Sequence, residues 1–358
     1  MSTQKVIISS DCTADLVSIL QQTTYSSIYI LTDTITKERC LPRLLQEAVT
    51  AGLTCNFPKV IEVKAGDANK NIATLTDIWQ TLTETGATRK SLLINLGGGM
   101  ITDLGGFAAS TFKRGIDYIN IPTTLLGAID AAVGGKTGIN FLGFKNEIGV
   151  INPAGYVLID ANFFKTLDHA NFLSGYAEML KHALIYSEEE LKKTLDFDLS
   201  NIDYDVLRSL LTTSVMIKEV IVEKDPTEQN IRKSLNFGHT IGHAFESFSY
   251  EVERPILHGY AIAFGMICEL YLSHKKVHFP KEKLQQICQL IVDNYGRFEI
   301  TCKDYPRLYE LMQHDKKNDS AAINFTLLGA VGDIRINQTA TEKEIFESLD
   351  FYRDIIGF

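Results

Sequence analysis

Short β-type runs alternate with stretches of helical periodicity through the first half of the chain, and this alternation narrows the fold most. KVIISS (5–10), SSIYILTD (26–33), KVIEVKAG (59–66), SLLINLGGG (91–99), DYINIPTT (117–124) and YVLID (156–160) are rich in Ile, Val, Tyr and Thr, as strands are. Residues 41–51 and 70–86 place apolar side chains at helical spacing between them. Strand–helix–strand order implies a parallel sheet covered by helices. Residues 125–160 are Gly-rich and less regular apart from their final run. After about residue 166 the pattern turns helical, with helices expected at 173–186, 188–195, 204–224, 234–249, 257–275, 281–295 and 305–315, and a hairpin at 322–336. The expectation is an α/β domain over 1–166 and a mainly α-helical domain over 167–358, with a ligand cleft between them.

The chain has 358 residues, 45% hydrophobic and 22% charged, enough apolar material for two cores. With 35 basic and 44 acidic side chains the net charge is −9, which argues against a nucleic-acid partner but leaves room for a local basic pocket. The opening MSTQKVIISSDCTADL has no signal-peptide pattern, and no apolar run is long enough to span a membrane. Cys12, Cys40, Cys55, Cys268, Cys288 and Cys302 are scattered and form no C-x-x-C pair, as expected of free, mostly buried thiols in a cytoplasmic protein.

INLGGGMITDLGGFAAS (94–110) leaves a strand and enters a helix. Its pattern is GGG-x-x-x-D, ending on Asp103, and not G-x-G-x-x-G. Such a turn serves either as a tight connection or as a cradle whose backbone approaches a pyrophosphate at a helix N-terminus. The strand before it and the helix after it favour a Rossmann-like dinucleotide site.

LNFGHTIGHAFES (235–247) places His239 and His243 four apart, so that a helix shows both on one face. Thr240 stands where the zinc motif H-E-x-x-H has its Glu. Glu178, in SGYAEMLKHAL, and His258, in PILHGYAIAFGM, are further candidate ligands. Two imidazoles and one carboxylate would leave an open coordination position, as in catalytic zinc sites. Spacing alone does not choose this trio. A histidine on an apolar face is more often a satisfied core residue, and His182 competes with Glu178. His169, His274, His278 and His314 read as surface residues. Lys181 lies three after Glu178, Arg232 four before Asn236, and Asn236 three before His239. These side chains form either a cationic pocket for a phosphate or carboxylate, or a solvated helix face.

In GGGMITDLGGFAAS, KRGIDYINIPTTLLGAIDAAVGGKTGIN, KNEIGV, SGYAEMLKHALI, LNFGHTIGHAFES, LHGYAIAFGM and DKKND (315–319), in this order, the chain resembles the 3-dehydroquinate synthase family, from about residue 60 to 335. The resemblance implies an NAD- and metal-dependent lyase, with zinc or cobalt held by Glu178, His239 and His258. His243 then faces the substrate, as a proton-transfer or phosphate-binding group. The family's NAD contacts fall on Asp67, Lys70, Gly98, Gly99, Met100, Asp103, Thr123, Thr124, Lys145, Phe163, Phe164, Lys165 and Thr166. Its substrate contacts fall on Arg114, Asp130, Lys136, Asn146, Lys181, Lys218, Arg232, Asn236 and Lys316, and an acid/base position falls on Glu228. The implied substrate is a sugar phosphate, 3-deoxy-D-arabino-heptulosonate 7-phosphate, converted to 3-dehydroquinate and phosphate. The implied sequence is transient oxidation at C5, phosphate elimination, re-reduction, ring opening and aldol closure. The resemblance also implies a homodimer.

Two departures stand out. Ile35 replaces the Asn common in the family's D-x-N motif after Asp33. Gln229 and Asn230 stand where glycines are common, and Asn230 is the residue expected to tolerate a left-handed backbone. Other NAD- and zinc-dependent sugar-phosphate cyclases, a glycerol dehydrogenase-like oxidoreductase and a non-catalytic binding module are the alternatives.

Overall fold

The computed structural model describes residues 4–53, 58–142, 144–313 and 323–357, with Phe144 described by its backbone only. Cys55, His314 and Lys316 therefore lie outside the described residues. Contacts divide the chain into two units, Met1–Asp168 and His169–Phe358.

The first unit runs β1 (Lys5–Ser9), α1 (Cys12–Gln22), β2 (Ile28–Asp33), α2 (Thr34–Arg39), α3 (Leu41–Thr50), β3 (Lys59–Val63), α4 (Ile72–Glu84), β4 (Leu92–Gly97), α5 (Gly99–Thr111), β5 (Asp117–Pro122), β6 (Lys136–Phe141), β7 (Phe144–Ile151) and β8 (Tyr156–Asp160). Six strands form one sheet in the order β1-β8-β5-β4-β2-β3, and every pairing is parallel. All residues of β2 and β4 are buried, as strands covered on both faces must be. This is the Rossmann-like sheet expected from the strand–helix alternation.

Residues 136–151, which read as irregular, instead form an antiparallel ribbon of β6 and β7. Gly138 and Gly149 face each other in it, and glycine at the centre of both strands hides the β pattern from the sequence. α1 and α2 are further helices that the periodicity did not reveal. Both are short and side-chain capped: Asp11 accepts from the Ala14 N–H, and Asp33 from the N–H groups of Ile35 and Thr36.

The second unit contains α6 (His169–Tyr186), α7 (Glu188–Leu195), α8 (Tyr204–Lys224), α9 (His239–Glu251), α10 (His258–Val277), α11 (Lys281–Tyr295), α12 (Tyr305–Gln313), the antiparallel pair β9 (Asn324–Ala330) and β10 (Asp333–Thr339), and α13 (Glu342–Ile355). The expected helix over 234–249 is broken. Ile231–Asn236 is a separate short helical turn, and Gly238, at φ 78°, occupies left-handed backbone before α9 begins. Among the described residues no helix is long and apolar enough to cross a membrane. Cys12, Cys40, Cys268 and Cys288 are buried and unpaired, and Cys302 is exposed. Burial pushes the four buried thiols up from their ordinary pKa, so they are inert packing groups.

Candidate functional site

Three helices of the second unit bring the candidate metal ligands together. Glu178, midway along α6, is fully buried. His239 opens α9 and His258 opens α10. Glycine permits the close crossing: a Cβ on Gly259 would lie 1.9 Å from the Ser174 carbonyl oxygen on α6, so α10 can approach only because none is there. Glu178 Oε1 lies 3.4 Å from His239 Nε2 and 3.5 Å from His258 Nε2. Donors about 2.0–2.1 Å from a tetrahedral ion lie about 3.3–3.4 Å apart, so these separations fit one cation bound by all three.

Both imidazoles have Nδ1 engaged elsewhere. His239 Nδ1 is 3.0 Å from the Phe237 carbonyl oxygen, and His258 Nδ1 is 3.2 Å from Glu246 Oε2. Each ring thus donates from Nδ1 and presents the Nε2 lone pair. Neither oxygen of Glu178 has an aligned hydrogen bond, although Lys181 forms an ion pair with Oε2. Burial alone would raise the Glu178 pKa, but the Lys181 ammonium and the His239 imidazole hold it well below the ordinary carboxylate range. A buried, ionised carboxylate without aligned donors, facing two Nε2 lone pairs, is the donor set a borderline-soft dication takes.

The rings of His239, His243 and His258 also cluster, at centroid separations of 5.3, 5.7 and 5.8 Å, and their nitrogens lie within 4.8 Å of one another. The two Glu178–imidazole separations are shorter than this limit, and His243 stands one turn along α9. His182 is turned away, with Nδ1 2.8 Å from Ser214 Oγ on α8. His169 and His278 are exposed, as expected. His274 is half-buried and not a free surface residue, because Nδ1 lies 2.7 Å from the Phe279 carbonyl oxygen at the end of α10.

Lys181, Lys218 and Arg232 are buried cations of the same unit. The Arg232 guanidinium donates to the Pro226 carbonyl oxygen at 2.8 Å. Asn236 does not share a helix face with His239, because the break at Gly238 intervenes. Its amide instead donates to Glu228 Oε1 at 2.8 Å. The left-handed residue of this loop is Glu228, at φ 60°, whereas Asn230 has φ −136°. Asp225 sets this arrangement by accepting from the N–H groups of Gln229, Asn230 and Arg232. Its carboxylate holds the loop where flexible glycines would otherwise have to turn it.

In the first unit, Gly98 precedes α5 at the carboxyl end of β4, where ligands of open α/β sheets bind. Thr123 donates its N–H to the Gly97 carbonyl oxygen, and the Thr124 hydroxyl caps the Gly127 N–H, so this turn packs against Gly98 and Gly99. Thr123 is buried. Lys70 Nζ donates to Asp103 Oδ2 at 3.0 Å and to Asn146 Oδ1 at 2.5 Å, and lies 3.7 Å from Asp67. Lys145 Nζ is 3.4 Å from Asp67 Oδ2. Five candidate residues thus form one polar network.

Asn140, absent from the candidates, binds that network together. Its side chain donates to Asp67 and accepts the Asn146 N–H, and its backbone N–H donates to the Lys70 carbonyl oxygen at 2.7 Å. Its signal is its place inside a strand that the sequence did not reveal.

Phe163 and Phe164 have their side chains in the core, and the Arg43 guanidinium covers the Phe163 ring at 4.8 Å. Lys165 donates to Asn162, and Thr166 donates to the Phe163 carbonyl oxygen. Asp33 is committed to capping α2, and Ile35 beside it is exposed. Arg114 is exposed at φ 68° and Asn146 lies at φ 53°. Asp130 lies on the helical turn Gly127–Ala131, and Lys136 opens β6. With Glu228, three candidate residues occupy backbone that non-glycine residues seldom adopt, a feature often found at functional sites.

Family models described as 3-dehydroquinate synthase N-terminal and C-terminal match residues 60–174 and 175–318. The chain is 55% identical over its full length, and the full length of the relative, to a 3-dehydroquinate synthase of Parabacteroides distasonis. It is 37% identical over 90% of each chain to that of Helicobacter pylori. Similar solved structures include a 2-deoxy-scyllo-inosose synthase complexed with carbaglucose-6-phosphate, NAD+ and Co2+, at TM-score 0.84 and 21% identity over 96% of this chain and 95% of that one. Another is a 2-epi-5-epi-valiolone synthase from Streptomyces hygroscopicus with NAD+ and Zn2+, at TM-score 0.83 and 22% identity over 99% and 98%. At that identity the structures share the fold.

Proposed function

The chain belongs to the 3-dehydroquinate synthase family, and from this premise we propose that it converts 3-deoxy-D-arabino-heptulosonate 7-phosphate to 3-dehydroquinate and phosphate. The reaction is a carbon–oxygen lyase step of aromatic amino acid biosynthesis. The observation that carries the reading is the convergence of Glu178, His239 and His258 within the matched C-terminal region.

These three residues hold zinc or cobalt. Asp67, Lys70, Asp103, Thr123, Thr124 and Lys145, with the backbone of Gly98, Gly99, Met100 and residues 163–166, hold NAD. When bound, the ion stabilises negative charge on the substrate oxygen, and NAD accepts and returns a hydride. His243 or Glu228, the latter oriented by the Asn236 amide, relays the proton released at the C5 hydroxyl. Lys181, Lys218 and Arg232 are buried basic side chains, and they bind anionic groups where little water competes for the contact. Arg114, Asp130, Lys136, Asn146 and Lys316 orient the rest of the substrate.

The enzyme works in the cytoplasm, which the free buried thiols support, and as a homodimer, which light scattering tests. The activity itself is tested by phosphate release. Release from the heptulosonate phosphate but not from sedoheptulose 7-phosphate is expected, and the reverse preference would replace this reading with another sugar-phosphate cyclase.

A further inference from the structure

Two carboxylates outside the ligand set pass between α9 and α10 in opposite directions. Glu246, on α9, is buried, and its Oε2 lies 3.2 Å from Nδ1 of His258, the first residue of α10. Glu269, on α10, is fully buried. Its Oε2 accepts the Gly238 N–H at 2.7 Å and its Oε1 the Ile241 N–H at 3.2 Å, both at the start of α9. Each helix thus sends a carboxylate to the end of the other that bears a candidate ligand.

The two contacts act differently. The Glu246 carboxylate accepts the proton of His258 Nδ1, so the remaining lone pair is on Nε2, the nitrogen 3.5 Å from Glu178 Oε1. Glu269 acts on the backbone. It pins the N–H of Gly238, whose neighbour Phe237 offers the carbonyl oxygen that fixes Nδ1 of His239. Gly238 has no side chain to cap α9, and Glu269 supplies that cap from the neighbouring helix.

We propose that Glu246 and Glu269 are positioning residues of the metal centre: Glu246 fixes the tautomer and ring orientation of His258, and Glu269 fixes the turn that aims His239. The proposal rests on the reading of Glu178, His239 and His258 as the ligands.

Metal uptake tests it without turnover. The full-length protein, stripped with a chelator, is titrated with Zn2+ against a competing chromophoric chelator and with Co2+ by its visible absorption. The thermal midpoint of each metal-free variant is recorded alongside. Glu246→Ala is expected to bind about 10–100-fold more weakly than the parent, with a changed Co2+ spectrum and a nearly unchanged metal-free midpoint. Glu246→Gln keeps an oxygen that accepts from Nδ1, so its affinity should fall between the two. Glu269→Gln keeps one acceptor oxygen and should also bind more weakly than the parent.

A purely structural role would lower the metal-free midpoint and leave the affinity of the folded protein unchanged. Parent-like affinity in both Glu246→Ala and Glu246→Gln overturns the role of Glu246, and in Glu269→Gln that of Glu269. Should Glu246→Ala not fold, Glu246→Gln decides alone. Should the parent itself take up neither ion, the ligand reading fails and this proposal with it.

Discussion

His258 is half-buried and reaches two carboxylates, Glu178 through Nε2 and Glu246 through Nδ1. Burial would lower its pKa, but Glu246 first, and then Glu178, raise it to about 10, so a metal ion binds at Nε2 by displacing the proton held there. His258→Ala should abolish both metal retention and turnover. Far-ultraviolet circular dichroism should remain that of the parent, and elemental analysis after gel filtration reads the metal. Retained metal with full turnover would show that the ion is held elsewhere. At this scale the sequence is informative about residue types and silent about direction. Spacing leaves Glu178 and His182 equal; the fold separates them because His182 faces Ser214 and Glu178 faces the imidazoles. The family resemblance names the trio because it carries the three-dimensional partners that spacing lacks. Asn230 is by itself the residue that better tolerates a left-handed backbone, and yet Glu228 takes that conformation. The Asp225 carboxylate decides it by gathering three N–H groups.

Among the elements, long periodic helices and parallel strands are legible, and short capped or glycine-bearing ones are not. β6 and β7 disappear behind their paired glycines. α13 escaped the sequence reading although Thr341 and Glu344 form a capping box at its start. The separate turn Ile231–Asn236 escaped because the apolar pattern continues across the break at Gly238.

The crossing of α6 and α10 gives an element-scale prediction. Gly259→Ala sets a methyl group against the Ser174 carbonyl oxygen and forces α10 away from α6. It should cost about 1–3 kcal/mol of stability, read by denaturant unfolding, and weaken metal binding because His258 moves with the helix.

The 225–232 loop gives another prediction. Desolvation would raise the Asp225 pKa, but the N–H groups of Asn230, Gln229 and Arg232 hold it below its ordinary 3.8. The unfolded chain therefore binds this proton more readily than the folded one. The stabilisation is present above pH 3.8 and is lost as pH falls through the lower folded value. The thermal midpoint of Asp225→Asn should lie below that of the parent near neutral pH, and the gap should narrow as pH falls below about 4. A constant gap across that range would remove the carboxylate charge from the account.

For the whole molecule, alternation in the first half and helical periodicity in the second disclose the fold class, because both repeat over many residues. Binding chemistry is less visible, since its residues are single and distant in sequence. The activity predicts a stoichiometry: NAD is oxidant and reductant in one cycle, so one equivalent should support many turnovers with no steady rise in absorbance near 340 nm, the NADH band. Continuous NADH accumulation would mark an alcohol dehydrogenase. Exhaustive chelation should stop phosphate release, and zinc or cobalt should restore it.

His239 and His258 are each the first residue of a helix. Peptide dipoles sum to about half a positive charge at such an end. A dication placed there meets two repulsive helix fields, opposed by the Glu178, Glu246 and Glu269 carboxylates. An anionic substrate oxygen is drawn by the ion and by both helix ends together. Substrate and ion are therefore thermodynamically linked, each tightening the other's hold, and the site grips its metal hardest when it has something to act on.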